Sequence, residues 1–103
     1  MRIIAGSCKG RPILAPKGMD TRPTLDRVKE SLFGIIQFQL YGKTVLDLFA
    51  GSGNLGLEAL SRGAEGCTFV DASEESLNLV RKNIESTAFS DKAKAVRSDY
   101  AAF

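Results

Sequence analysis

An α/β fold, built as the first half of a doubly wound parallel sheet, is what this sequence predicts, on three observations. Short apolar runs at Thr44–Leu48, Cys67–Val70 and Ala93–Arg97 alternate with stretches of helical periodicity. The first run leads directly into DLFAGSGNLG (Asp47–Gly56), whose G-x-G-x-x-G spacing belongs at a strand-to-helix turn. Carboxylates stand at or near the ends of all three runs, at Asp47, Asp71 and Asp99. The order β-α-β-α-β, with right-handed crossovers, gives parallel strands.

The elements follow in order. Arg2–Ala5 and Arg11–Ala15, around Gly6 and Gly10, are consistent with a small hairpin. Pro16-Lys17-Gly18 marks a turn. Thr24 is placed to cap a helix, with Asp26 at the positive end of its dipole. Leu25, Val28, Leu32, Ile35 and Ile36 then recur at helical spacing as one apolar face, and Tyr41-Gly42 ends the helix. Thr44–Leu48 reads as a buried strand. Leu55–Arg62 reads as a helix stopped by Gly63, where a residue past the C-terminus favours glycine. Ser73 caps the last helix, with Glu74 and Glu75 in its first turn and Leu77, Val80 and Ile84 on its inner face. Two units result: a basic arm over 1–24, and over 25–103 the first half of a sheet domain. A complete sheet of this kind continues on the far side of the first strand. The Thr44–Leu48 strand is therefore expected to keep an unpaired inner edge, as in the front part of a longer chain.

Composition narrows the chemistry. With 44% hydrophobic and 25% charged residues, the 103-residue chain is an ordinary globular sequence without a run long enough to span a membrane. It contains no histidine, and Cys8 and Cys67 lack metal-type spacing, so zinc chemistry and histidine acid–base catalysis are excluded. A reduced, cytoplasmic setting is the default for such a cysteine count, and Cys67 reads as a small buried hydrophobe. Residues 1–43 carry eight basic and three acidic groups, whereas 44–103 carry six basic and nine acidic. A basic front suits a polyanion, although charge alone is met better by a solvated, mixed-charge surface.

The loop asks for a nucleoside-type ligand. Gly51 permits a sharp turn, Gly53 leaves no side chain between backbone and ligand, and Gly56 lets helix pack on strand. Asp71 lies 20 positions beyond Gly51, where a carboxylate accepts hydrogen bonds from a ribose diol. In a dinucleotide site the helix N-terminus receives a pyrophosphate, beside which Asp47 would be unwelcome. Asp47 suits instead the ammonium and sulfonium of S-adenosylmethionine, with Asp99 available to an adenine amine. The structural alternatives are a turn cap for Asp47, surface charge for Asp71 and a turn residue for Asp99.

The same residues carry a family resemblance. DLFAGSGNLGLEALSRGA, with FVDAS and RSDY downstream, resembles the S-adenosylmethionine motifs of amino-group methyltransferases, Phe49-Ala50-Gly51-Ser52-Gly53 matching their F-x-G-x-G. RIIAGSCKGRPILAPKG followed by TRPTLDRVKESLFGII resembles the bacterial 16S rRNA guanine-N2-methyltransferase family, the RsmD type. The resemblance implies a Rossmann-like methyltransferase fold, a monomer at full length, and methyl transfer to the exocyclic N2 of a guanine in small-subunit rRNA or the small ribosomal subunit. It implies that Asp47, Gly51 and Gly53 line the methionine end, with Asp71 at the ribose and Asp99 at the adenine. Phe49 is expected to pack beneath the loop. Arg11, Arg22 and Thr24 would face RNA, with a loop-stabilising donor as the alternative for Arg22.

The family's catalytic motif, Asp/Asn-Pro-Pro-Tyr/Phe, does not occur, because the three prolines are Pro12, Pro16 and Pro23. No catalytic residue is therefore assigned within the chain, and alone it is expected to be inactive. Two rival readings stay open. An NAD-dependent oxidoreductase fragment shares the glycines and Asp71 but gives Asp47 no role. A non-catalytic RNA-binding module would bind RNA without any cofactor.

Overall fold

The structure, a computed structural model, describes residues 1–15, 23–48 and 50–98, and within the first helix the side chains from Arg27 onward. The elements run α1 (Pro23–Leu40), β1 (Thr44–Asp47), α2 (Asn54–Ser61), β2 (Gly66–Asp71), α3 (Glu74–Ser86) and β3 (Ala93–Arg97). The three strands are parallel in the order β1-β2-β3. Helix α2 packs on β1 and β2, and α3 on β2 and β3. Both crossovers step the same way, so the right-handed rule sets both helices on one face of the sheet. Among the described residues β1 pairs with β2 alone, leaving the expected open edge.

Local signals in the sequence account for most boundaries. Ser73 caps α3, its side chain accepting from the Ser76 N–H at 3.2 Å, and Glu74 and Glu75 occupy the first turn. Gly63, at φ +110°, follows the C-terminus of α2 in the left-handed conformation that glycine tolerates. Leu77 and Val80 are fully buried and Ile84 nearly so, as their spacing predicts. The N-terminal segment does form a hairpin, closed by an antiparallel bridge between Arg2 and Pro12. The Ile3 N–H donates to Arg11 O at 2.9 Å and the Ile13 N–H to Met1 O at 2.8 Å. The predicted turn at 16–18 lies outside the described residues.

Helix α1 departs from expectation in two ways. It opens on Pro23, a residue preorganised for the first helical position, so Thr24 lies within the helix and is not its cap. Its predicted apolar face is also not the buried one. Val28, Leu32 and Ile35 are 60%, 40% and 76% exposed, whereas Lys29, Phe33 and Leu40 are buried and Ile36 partly so. The buried line runs i, i+4, i+7, i+11 through a lysine, which hydrophobic periodicity counts as surface. Leu25 lies outside the described side chains.

Strand β1 is likewise half-exposed and not buried, Leu46 being 48% accessible. The reason is its position: a strand with a neighbour on one side only keeps its other flank open. Between α1, β1 and α2 runs an apolar groove of about 290 Å³, lined by Leu32, Ile36, Leu46, Leu48, Leu55 and Ala59 among others.

Candidate cofactor site at the glycine loop

The parallel register brings the C-terminal ends of β1 and β2 side by side, with Asp47 opposite Phe69 and Asp71 two residues further on. The chain leaving β1 returns to the sheet when the Ala50 N–H donates to Val70 O at 3.1 Å. It then turns through Gly51 and Gly53, at φ +57° and +84°, a region that β-carbons disfavour. Gly53 is also the residue before α2, where it supplies no side-chain cap. Asp47 takes that part from the strand: its Oδ2 accepts the Gly56 N–H at 3.2 Å, a carboxylate at the positive end of the helix.

Gly56 has the packing role that its position in the motif predicts. A β-carbon there would lie 2.3 Å from the Phe69 ring and 2.7 Å from the Cys67 sulfur, so only glycine lets α2 approach β2 this closely. Cys67 is buried, as expected, and its thiol is pushed up to about 12, first by burial and then by the nearby Asp47 charge. Neither cysteine is in a disulfide, and Cys8 donates its S–H to Thr87 O at 3.5 Å.

Asp71 ties the site together. Its Oδ2 accepts the Gly51 N–H at 3.0 Å and its Oδ1 the Ser73 N–H at 2.9 Å. The 20-residue spacing in the sequence is thus a direct contact between loop and second strand. Each carboxylate oxygen carries two acceptor sites, so one on each remains after these bonds. The Ser98 N–H donates to the Asp71 carbonyl at 3.1 Å, bringing the end of β3 to the same edge.

The other predicted site residues are placed as follows. Phe49, Asp99 and Arg22 lie outside the described residues, and Thr24 is described as backbone in the first turn of α1. Arg11 makes its contact with α3 and not with the glycines of the loop. Its guanidinium donates to Ser86 O at 2.9 Å, at the C-terminal end of α3, one turn beyond Asn83.

Sequence reasoning missed a buried polar cluster beneath the loop. Glu58 is fully buried, and all four of its acceptor sites are filled. Oε1 takes the Ile4 N–H at 2.8 Å and Lys29 Nζ at 3.1 Å, while Oε2 takes the Ala5 N–H at 3.1 Å and Arg62 Nε at 2.8 Å. Burial alone would raise the Glu58 pKa, but the Ile4 and Arg62 hydrogen bonds and the Lys29 charge hold it below the usual 4.5. Lys29 is equally well used, donating to Arg2 O at 2.9 Å and to Asn54 Oδ1 at 2.7 Å besides its bond to Glu58. Arg62 lies over the Phe33 ring, 5.0 Å from its centroid. One clue was legible: in Leu57-Glu58-Ala59-Leu60 a glutamate stands inside an apolar helix, where a charge is tolerated only when paired.

Among the described residues no cluster of acidic, cysteine or histidine side chains could hold a metal, and no helix is long and apolar enough to cross a membrane.

A glycine turn at the C-terminal edge of a parallel sheet, latched to the acid that ends the next strand, defines half of a Rossmann-like fold. The solved structures that resemble it include methyltransferases. A SAM-dependent methyltransferase from Agrobacterium tumefaciens aligns at a TM-score of 0.66 and 25% identity, over 81% of this chain and 26% of that one. The structure of Escherichia coli yhhF aligns at 0.85 and 37% identity, over all of this chain and 54% of that one. The fold is therefore that of the S-adenosylmethionine-dependent methyltransferases, in part.

The particular family follows from the sequence match. The chain belongs to the family described as Conserved hypothetical protein 95, whose model matches residues 1–103. Ribosomal RNA small subunit methyltransferase D of Escherichia coli is 40% identical over 103 residues, all of this chain and 52% of that protein. The chain thus spans about half the length of the curated relatives it matches.

Proposed function

We propose that this chain is the cofactor-binding front of a cytoplasmic enzyme, monomeric at full length, that methylates small-subunit (16S) rRNA. The methyl group would pass from S-adenosylmethionine to the exocyclic N2 of one guanine. The observation that carries this reading is the meeting of Gly51 and Asp71 at one sheet edge, in a chain matched by its family from end to end. The residues fit the ligand. Asp71 keeps an acceptor site on each oxygen for the two hydroxyls of a ribose. Asp47, an acid where a pyrophosphate site would want none, suits an ammonium or sulfonium. In this reading Gly51 and Gly53 admit the methionine end, Phe49 would pack under the loop, and Asp99 would serve the adenine amine.

Residues 1–24 form the RNA-facing arm in this reading, and 25–103 the cofactor half. Arg22 and Thr24 face RNA, and Arg11, exposed in the hairpin, keeps guanidinium donors beyond its one bond to Ser86. The small-subunit name of the Escherichia coli relative supports the substrate, and the choice of N2 rests on the family resemblance. A guanine amine is a weak nucleophile that must be extruded, aligned and relieved of its hydrogens by acceptors. The sequence has no pair of adjacent prolines and so lacks the motif that supplies them; in this reading the chain by itself is therefore expected to be inactive.

Calorimetric titration with S-adenosylhomocysteine and NAD in parallel tests this reading. S-Adenosylhomocysteine should bind more tightly, and Asp71→Ala should weaken it about tenfold or more, the loss of hydrogen bonds to a charged acceptor. Tighter binding of NAD overturns the proposal, and methyl transfer to 16S rRNA by the 103-residue chain overturns its claim of inactivity.

A further inference from the structure

Two buried side chains each touch the N-terminal hairpin on one side and the glycine loop on the other. Asn83, on α3 and fully buried, donates from Nδ2 to Leu14 O at 2.9 Å and to Ser52 O at 2.8 Å, while its Oδ1 accepts the Leu14 N–H at 2.8 Å. Lys29, on α1 and 1% exposed, joins Arg2 O to Asn54 Oδ1. Ser52 and Asn54 are the two residues flanking Gly53. The turn that faces the ligand is thus held from behind by the two strands of the hairpin, through one amide and one ammonium. Neither group has an alternative partner in water, so a shift of the hairpin would leave buried donors unmade.

We infer that Asn83 and Lys29 are positioning residues that set the cofactor loop from the hairpin, and so link cofactor affinity to the state of the basic arm. The link is reciprocal: whatever seats the hairpin, such as an RNA phosphate backbone, tightens the loop, and a bound cofactor holds the hairpin in return. The functional half of this inference rests on the proposed S-adenosylmethionine site, whereas the mechanical half does not.

Four variants of the 103-residue chain test it. Asn83→Asp sets an oxygen against the carbonyls of Leu14 and Ser52, and Asn54→Ala cuts the Lys29 tie at the loop end while sparing the Lys29–Glu58 pair. Asn54→Asp restores the acceptor. Val80→Ala, on α3 one turn before Asn83, removes core packing and none of the hydrogen bonds that tie the loop. S-Adenosylhomocysteine should bind about tenfold more weakly to Asn83→Asp and several-fold more weakly to Asn54→Ala, with Asn54→Asp recovering most of the loss. Val80→Ala should lower Tm and leave Kd unchanged. Amide hydrogen exchange reads the mechanical link without any ligand: in Asn83→Asp, Gly53 in the loop and Ile3 in the hairpin should both exchange faster, and in Val80→Ala they should not separate from the rest of the sheet. If the parent chain fails to bind S-adenosylhomocysteine, the proposed function falls and the exchange data alone decide the link. Unchanged Kd and unchanged Gly53 exchange in a folded Asn83→Asp overturn the inference.

Discussion

The two flanks of helix α2 are closed in opposite ways. On the hairpin side, Ile3 and Ile13 join the buried core and polar groups fix the register: Glu58 and Ser61 of α2, with Asn83 of α3, hold the backbone of residues 4 to 14. On the β1 side, Leu46, Leu48 and Leu55 are between 37% and 48% exposed along a groove that α1 borders with Leu32. The first interface is specific because a buried hydrogen bond has one good geometry. The second is adhesive, and hydrophobic contact is indifferent to direction. A chain that is the front half of its family's fold thus carries a finished boundary on one side and an unfinished one on the other.

The largest effect should come from breaking the finished side. Glu58→Ala leaves Lys29 buried without its counter-charge, and loss of one partner of such a pair costs about 3–5 kcal/mol. Chemical denaturation of the two chains would read this directly, and a loss under 1 kcal/mol would mean that water reaches Lys29. Next comes a glycine pair within the hairpin. A β-carbon on Gly6 would lie 2.0 Å from the Ser61 carbonyl oxygen, whereas one on Gly10 meets nothing within 4 Å, and both have positive φ. Gly10→Ala should cost about 1–2 kcal/mol of backbone strain, and Gly6→Ala about 1–3 kcal/mol more from overpacking against a backbone. Equal losses would show that the hairpin does not sit on α2.

Acid sharpens the contrast further. The Glu58 pKa is depressed in the folded state, so its contribution is full above the unfolded value near 4.5 and is lost as pH falls through the lower folded value. Stability should therefore drop below about pH 4.5 in the parent chain, and less steeply in Glu58→Gln, as followed by thermal melts from pH 7 to 3. The smallest effect belongs to the open side. Ile35→Ser, at a position 76% exposed, should change stability by no more than about 0.5 kcal/mol. A loss well above that would mean that the α1 face is covered in solution.

How much of this was legible in the sequence depended on the range of the interaction. Features decided within a few residues were readable: the Ser73 cap, the Gly63 stop, the three strands, and the need for glycine at position 56. The Gly51–Asp71 spacing was readable too, because a βαβ unit fixes it. What could not be read was decided by distant partners. Lys29 is buried because Glu58, 29 positions away, neutralises it, and a periodicity count ranks Lys29 as surface and Val28 as core. The exposure of β1 depends on what lies beyond its free edge, which no local pattern encodes. Asn83 looked like one more polar residue on a helix with an inner face of Leu77, Val80 and Ile84, although it is the most connected side chain of that helix.

Cys67 sits directly under the start of α2, its sulfur 2.7 Å from where a β-carbon on Gly56 would lie, with its ionisation pushed up to about 12. A sulfonium is an alkylating agent, and a cysteine reacts with an electrophile as its thiolate. Here the Cys67 sulfur stays protonated at neutral pH, buried and beside the Asp47 carboxylate. A donor held at this loop would find the protein beneath it inert, and its methyl group would be kept for an acceptor brought from outside.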